Sequence, residues 1–282
     1  MLMPWISTVF GVDFSGAAQS GKTAWLAEMH VLPGEQRLRL ADLKPLGRLA
    51  GEDGRDAVCE YLVRRIRRSD QAFWGMDFPF GLPVELNLGG WPGQLAHNRS
   101  FSGDAKDYGR YLVGVSQKNS DVMHIRRTTD RETKTPFDCY HYRIIYQTFH
   151  GMGQVLAPIA DDSETAVLPF TYARLSQARR VVVEACPAST LKRLGLPHQR
   201  YKQSAGKPVE GVHRKTRRRI LKGIHDFVDI SAYRRKIVMT DPGGDALDAV
   251  LAGMGSWHAM QNVDHESVSA HPRYSNEGYV YC

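Results

Sequence analysis

Apolar positions along this chain fall into short runs that end on single acids. Residues 7–13 (STVFGVD) are β-branched and aromatic, and Ser15-Gly16 punctuate them. That pattern predicts a buried strand. Residues 72–77 (AFWGMD) repeat it, and the Phe78-Pro79-Phe80-Gly81-Leu82-Pro83 stretch ends them, because proline cannot continue a ladder. Residues 180–184 (RVVVE) are a third run, of the fully buried type, stopped by Pro187. Residues 37–43 (RLRLADL) alternate apolar and polar positions as a half-buried strand does. Residues 24–32 (AWLAEMHVL) read as strand or helix. Read as a strand, they complete three consecutive antiparallel strands.

Helical spacing takes over elsewhere. A helix starting at Asp53 or Asp56 runs to Arg68, with Ala57, Tyr61, Leu62, Arg65 and Ile66 on one stripe. Its arginine-rich end complements the helix dipole, which fits a solvated last turn. Residues 138–159 combine helical spacing with many aromatics, Ser189–Leu194 reads as a short helix, Arg214–Phe227 as a basic one, and Asp245–Met260 as an apolar, alanine-rich one. Residues from about 85 to 130 are polar and glycine-rich. The order predicts one α/β domain over residues 1–282, a mixed sheet flanked by helices. It carries an insertion at about 85–178 and an irregular tail at about 262–282.

Composition narrows the class. The 282 residues are 42% hydrophobic and 24% charged, so a sizeable core is expected and disorder is not. The net charge of +7 suits a polyanionic partner, nucleic acid or another phosphorylated ligand, and equally a merely soluble basic protein. The four cysteines, Cys59, Cys139, Cys186 and Cys282, form no CxxC pair, which argues against a cysteine zinc site and for reduced thiols in the cytoplasm. No apolar run approaches the roughly 20 residues a bilayer-spanning helix needs. The apolar start lacks a basic leader and a small-residue cleavage site, so it is expected to enter the core as a strand.

The acids that close the runs are the candidate chemistry. Asp13, Asp77 and Glu184 each stand at the end of an apolar strand, and Asp245 and Asp248 open the last long helix. An unpaired buried carboxylate is costly. Several become tolerable when they share a hard cation such as Mg2+ or Mn2+, which takes oxygen ligands. A pair of such ions suits phosphodiester hydrolysis. Residues three apart lie on one helix face, so Asp245 and Asp248 can address one site. The same two residues also fit an N-cap and a first-turn acid.

The segments GVDFSGAAQSGKTAWLA, WGMDFPFGLP, RRTTD, RIIYQTFHGMGQVLAP, VVVEACPASTLKRLGLP and GGDALDAVLAG occur in that order between about Phe10 and Gly253. Together they resemble the family labelled domain of unknown function 429, described as predicted ribonuclease H-like nucleases. The DALDA segment also resembles the C-terminal helix of Holliday-junction resolvases of that fold. The resemblance implies a ribonuclease H-like sheet, with three antiparallel strands followed by parallel ones. It implies metal ligands at the first-strand acid, the fourth-strand acid and the last helix, which here are Asp13, Asp77, Asp245 and Asp248. Asp77 stands where the resolvases carry glutamate. Glu184 has no clear resolvase counterpart and is expected to act as an outer or base-like group.

One rival motif competes. Residues 16–23 (GAAQSGKT) satisfy the phosphate-cradling pattern of P-loop proteins. A P-loop lysine should open a substantial helix, yet Pro33-Gly34 end this segment after about ten residues. The candidate substrate contacts are Ser15, Lys22, Arg127, Arg143 and Arg218. The last belongs to the densest basic cluster, whose Arg214, Arg218 and Lys222 share a helix face that is either solvated or docked on phosphates. Trp91, Phe101, Tyr108 and Tyr111 fit base stacking or plain packing. The leading expectation is a metal-dependent nuclease. The alternatives are a nucleotide-binding phosphotransferase or ATPase using the Lys22 loop, and a non-catalytic nucleic-acid-binding protein of the same fold.

Overall fold

The computed structural model describes residues 5–34, 37–203 and 207–282. Of the apolar start, residues 1–4 therefore lie outside the described part. Strands β1 (Thr8–Asp13), β2 (Trp25–Val31) and β3 (Leu38–Pro45) form an antiparallel meander, so the ambiguous second segment is a strand. Helices α1 (Leu46–Ala50) and α2 (Arg55–Arg68) follow, and α2 starts behind Gly54 rather than behind an aspartate cap. Strand β4 (Ala72–Asp77) then returns parallel to β1.

A helical excursion comes next: α3 (Trp91–Ser100), α4 (Ala105–Ser120), α5 (Thr128–Glu132) and α6 (Ile145–His150). The chain winds on from α6 through a π-helical stretch, Gly151–Leu156, into α7 (Ala157–Ile159). The excursion is shorter than the expected insertion, because β5 (Thr165–Leu168) belongs to the sheet and pairs with β6 (Arg180–Ala185). Helices α8 (Pro187–Arg193) and α9 (Gly211–Gly223), strand β7 (Val228–Asp229), and helices α10 (Ala232–Thr240) and α11 (Asp245–Met260) complete the main body. The sheet runs β5-β6-β4-β1-β2-β3-β7, antiparallel across the first meander and parallel elsewhere.

The tail is not irregular. It forms α12 (His265–Ala270), α13 (Tyr274–Glu277) and β8 (Val280–Tyr281), and β8 pairs with β6 beside Glu184. Polar composition hid this because Glu277, fully buried, accepts the Thr128 amide at 2.7 Å instead of facing water.

Each face of the sheet carries its own core. Phe10, Val12, Trp74 and Met76 pack with α2 and the excursion, and Phe10 stacks on Trp74 at 4.1 Å between centroids. Val9, Met29, Phe73 and Val183 pack on the other side with α11, whose sides are almost wholly buried. That explains its all-round apolar sequence. Among the described residues no helix is long and apolar enough to cross a membrane.

Candidate metal centre

Strand parity aims the first two acids. Asp13 and Asp77 are register partners and the last residues of β1 and β4. Side chains alternate across a sheet. Asp13 therefore shares the face of Val9 and Gly11, and Asp77 the face of Phe73 and Gly75, which is the face α11 covers. Gly11 and Gly75 are themselves register partners. A Cβ on Gly11 would lie 2.0 Å from the Ala249 carbonyl oxygen, and one on Gly75 would lie 2.5 Å from that of Ala252. Only glycine lets the helix come this close. The approach carries Asp248, in the first turn of α11, over the strand ends. One carboxylate oxygen each from Asp13, Asp77 and Asp248 then lie within 4.8 Å of one another.

Charge is unbalanced at this point. Burial, helped by the charges of Asp248, Asp245 and Asp77, pushes the Asp13 carboxyl well above the usual carboxylate range, against the pull of Lys202. Burial first and then Asp248 push Asp77 up to about 8. Asp245, also raised mainly by burial, reaches about 7. Lys202 is ion-paired with one Asp248 oxygen, while the Tyr201 hydroxyl donates to the other at 2.9 Å. Lys202, with Arg217 acting from further back on Asp245, faces a group of four acids. An all-oxygen donor set in which Asp13 and Asp77 hold their protons for want of positive charge fits a hard divalent cation.

The triad lies in a cleft of about 470 Å³. Its walls are largely apolar, with Phe78, Phe137, Ile144 and Pro187, and His198 and Arg200 reach its edge as exposed side chains.

The other expected site residues divide. Asp245 stands beside the triad without joining it. Nor is it the helix cap: Gly244 holds that position at φ 81°, and the Asp241 carboxylate accepts the Ala246 amide at 3.0 Å. Glu184 pairs in register with Met76, not Asp77, so parity turns it to the opposite face. There it accepts the Phe80 amide at 2.9 Å and two Arg127 donors at 2.8 and 2.5 Å. Burial raises its carboxyl, against the pull of Arg127.

Arg127 lines the cleft, but it is buried and its donors are already taken. Its remaining donors go to Asp130, at 3.0 and 2.8 Å, and to the Glu277 carbonyl at 3.0 Å, so all five guanidinium N–H groups are engaged. It is a buried clasp between α5, β6 and the tail.

Lys22 is exposed at the end of a single 3-10 turn, Ser20–Lys22, and a strand follows it where a P-loop needs a helix. The loop is thus the turn between β1 and β2, and the rival P-loop pattern lacks the helix that it needs. Ser15 closes that turn by accepting the Thr23 hydroxyl at 2.9 Å. Arg143 is exposed and lies over the Phe137 ring, 5.5 Å from its centre, which places a cation beside one cleft wall. Arg218 lies elsewhere, in a groove between α9 and α10. Of the proposed stacking residues, Trp91 is buried against Phe170 at 4.2 Å, and Phe101, Tyr108 and Tyr111 pack on one another and on His97. None of the four lines the cleft.

Sequence reading missed Tyr201 and Lys202. Their loop has no periodicity, and its position is set from a distance. Arg217, fully buried in α9, donates to the carbonyls of Tyr201, Val238, Asp241 and Pro242 at 2.7, 2.9, 2.5 and 3.0 Å. It fastens the Lys202 loop to the segment leading into α11. In the basic helix this residue reads like its exposed neighbours. In comparisons with known proteins, no family model, no curated protein and no solved structure matches the chain.

Proposed function

We propose that this chain is a metal-dependent phosphodiesterase acting on nucleic acid, with a ribonuclease H-like fold of the family it resembles. The fold reading is supported by the antiparallel β1-β2-β3 meander, the parallel β4 and β6 beside β1, and a long last helix laid across them. The function reading is carried by one observation, the convergence of Asp13, Asp77 and Asp248 at the strand ends.

In this reading Asp13, Asp77 and Asp248 hold Mg2+ or Mn2+, with Asp245 adding negative charge behind them. A bound divalent cation supplies neutralisation of phosphate charge and a more acidic water. The protein's own residues do the rest. Tyr201 and Lys202 fix the orientation of Asp248, and the Lys202 ammonium offers a phosphate oxygen a second positive contact. Glu184, held by Arg127, fixes the Phe80 turn that follows Asp77. The cleft is the size of a small-molecule site, which suits one or two nucleotides of a single strand or an end. Phe137 beneath Arg143 provides a stacking surface for a base.

A panel of single- and double-stranded DNA and RNA with Mg2+ or Mn2+ tests the proposal. Cleavage is expected from the wild type and not from Asp13→Asn; full cleavage by the variant removes Asp13 from the mechanism. The Lys202–Asp248 pair favours a second reading, in which the protein's own cation balances the acids and the chain binds nucleic acid without turnover. Calorimetry with Mn2+ separates the two, since absence of Mn2+ binding selects the second.

A further inference from the structure

The basic charge of this protein is concentrated in one place. Residues 211–240 hold nine Lys and Arg against two Asp, a surplus equal to the +7 of the whole chain. The remaining residues are balanced, with 28 of each sign. This segment is α9, β7 and α10. Between the two helices runs an open groove of about 430 Å³, lined by Arg214, Arg218, Arg235 and Lys236 with Ala232, Met239 and Thr240. No acid lines it, and among the described residues none of those four cations forms an ion pair. Of the two aspartates, Asp229 is already paired with Arg39.

Unpaired cations facing one another across a groove repel, and a protein tolerates them readily where a polyanion neutralises them. The apolar side of α9, Ile220 and Leu221, is buried in the core, so the helix has no broad apolar face to sink into a bilayer. Three of the four cations are arginines, whose fork matches phosphate oxygens. We infer that the α9–α10 groove is a docking site for the phosphate backbone of nucleic acid, separate from the acidic cleft. The helix that presents Arg214 and Arg218 outward also presents Arg217 inward to the Lys202 loop. One rigid element therefore joins the two sites.

Fluorescence anisotropy of labelled 30-residue single and duplex DNA, in EDTA and across a salt series, tests this. Wild type and Asp13→Asn are expected to bind alike. Arg218→Ala/Arg235→Ala, with two exposed positions changed, is expected to keep the wild-type Tm and lose about ten-fold or more in affinity. Its log Kd against log salt slope should fall by about 1.4 for single strands and about 1.8 for duplex. The same variant should hydrolyse bis(p-nitrophenyl) phosphate at the wild-type rate. Unchanged affinity and slope in the double variant overturn the inference. So does a wild type that binds phosphatidylserine vesicles or poly-glutamate but no nucleic acid. Because EDTA removes turnover, failure of the cleavage reading leaves this binding result standing.

Discussion

Gly11 of β1 stands against Gly253 of α11. A Cβ on Gly11 would lie 2.4 Å from the Gly253 amide nitrogen, and one on Gly253 would lie 2.9 Å from that of Gly11. Backbone cannot yield as a flexible side chain does, so the helix must move if either glycine gains a methyl group. Gly11→Ala is therefore expected to cost about 1–3 kcal/mol in urea unfolding. It should also lower Mn2+ affinity, because α11 would lift Asp248 away from Asp13 and Asp77. A variant with wild-type stability and Mn2+ binding would show that the close approach does not set the site.

The acids also predict how stability varies with pH. Asp77 has an ordinary value of 3.8 and stands near 8 in the fold, and Asp245 stands near 7. A carboxyl raised on folding holds its proton more tightly in the native state. Its contribution is fully present below about 4 and is lost as pH rises through 7 to 8. In EDTA, this part of the Tm profile should fall between about pH 4 and 8. Added Mn2+ takes the place of those protons, so the Tm gain from Mn2+ should grow over the same window. A Mn2+ gain that is flat from pH 5 to pH 8 would contradict the assignment of Asp77 as a ligand with Asp245 behind it.

Much of this was legible in the sequence, and the reasons differ by residue. Asp13 and Asp77 could be picked out because apolar runs ending in acids are costly unless the acids are used, and Asp248 because it lies three residues from Asp245 on one helix face, in a segment that resembles the resolvase helix. Glu184 carried the same signal yet belongs to another cluster. Its separation depends on the β4–β6 register, which pairs it with Met76, and a register is a property of two strands together. Arg127 and Arg217 looked like surface cations because nothing local announces five or four buried acceptors contributed by distant segments. β5 was lost for a simpler reason: TAVL is only four residues long, inside a polar stretch.

Lys202 gives a prediction in which two readouts move in opposite directions. Its ammonium lies on Asp248 and opposes any second cation there. Lys202→Met removes that competitor, so Mn2+ affinity should rise, on the order of ten-fold. Without Mn2+ the same change leaves the buried Asp248 with only Tyr201, and the Tm should drop. A variant that loses Mn2+ affinity would mean that Lys202 supports the cation rather than standing in for it.

Arg127 distinguishes a structural cation from a substrate contact. It is buried with Glu184 and Asp130, and each carboxylate takes two of its donors. Removing one partner of such a cluster strands the charges that remain, at a cost of about 3–5 kcal/mol. Arg127→Met is therefore expected to unfold at markedly lower urea, and Arg127→Lys should help only partly, since an ammonium has three donors where five are used. Glu184→Gln or Asp130→Asn placed on top of Arg127→Met relieves one stranded charge, so each double variant should be more stable than Arg127→Met alone. A substrate-binding arginine behaves otherwise: its loss weakens substrate affinity at unchanged stability, and no acid-to-amide change restores anything. Wild-type urea stability in Arg127→Met would return this residue to the list of substrate contacts.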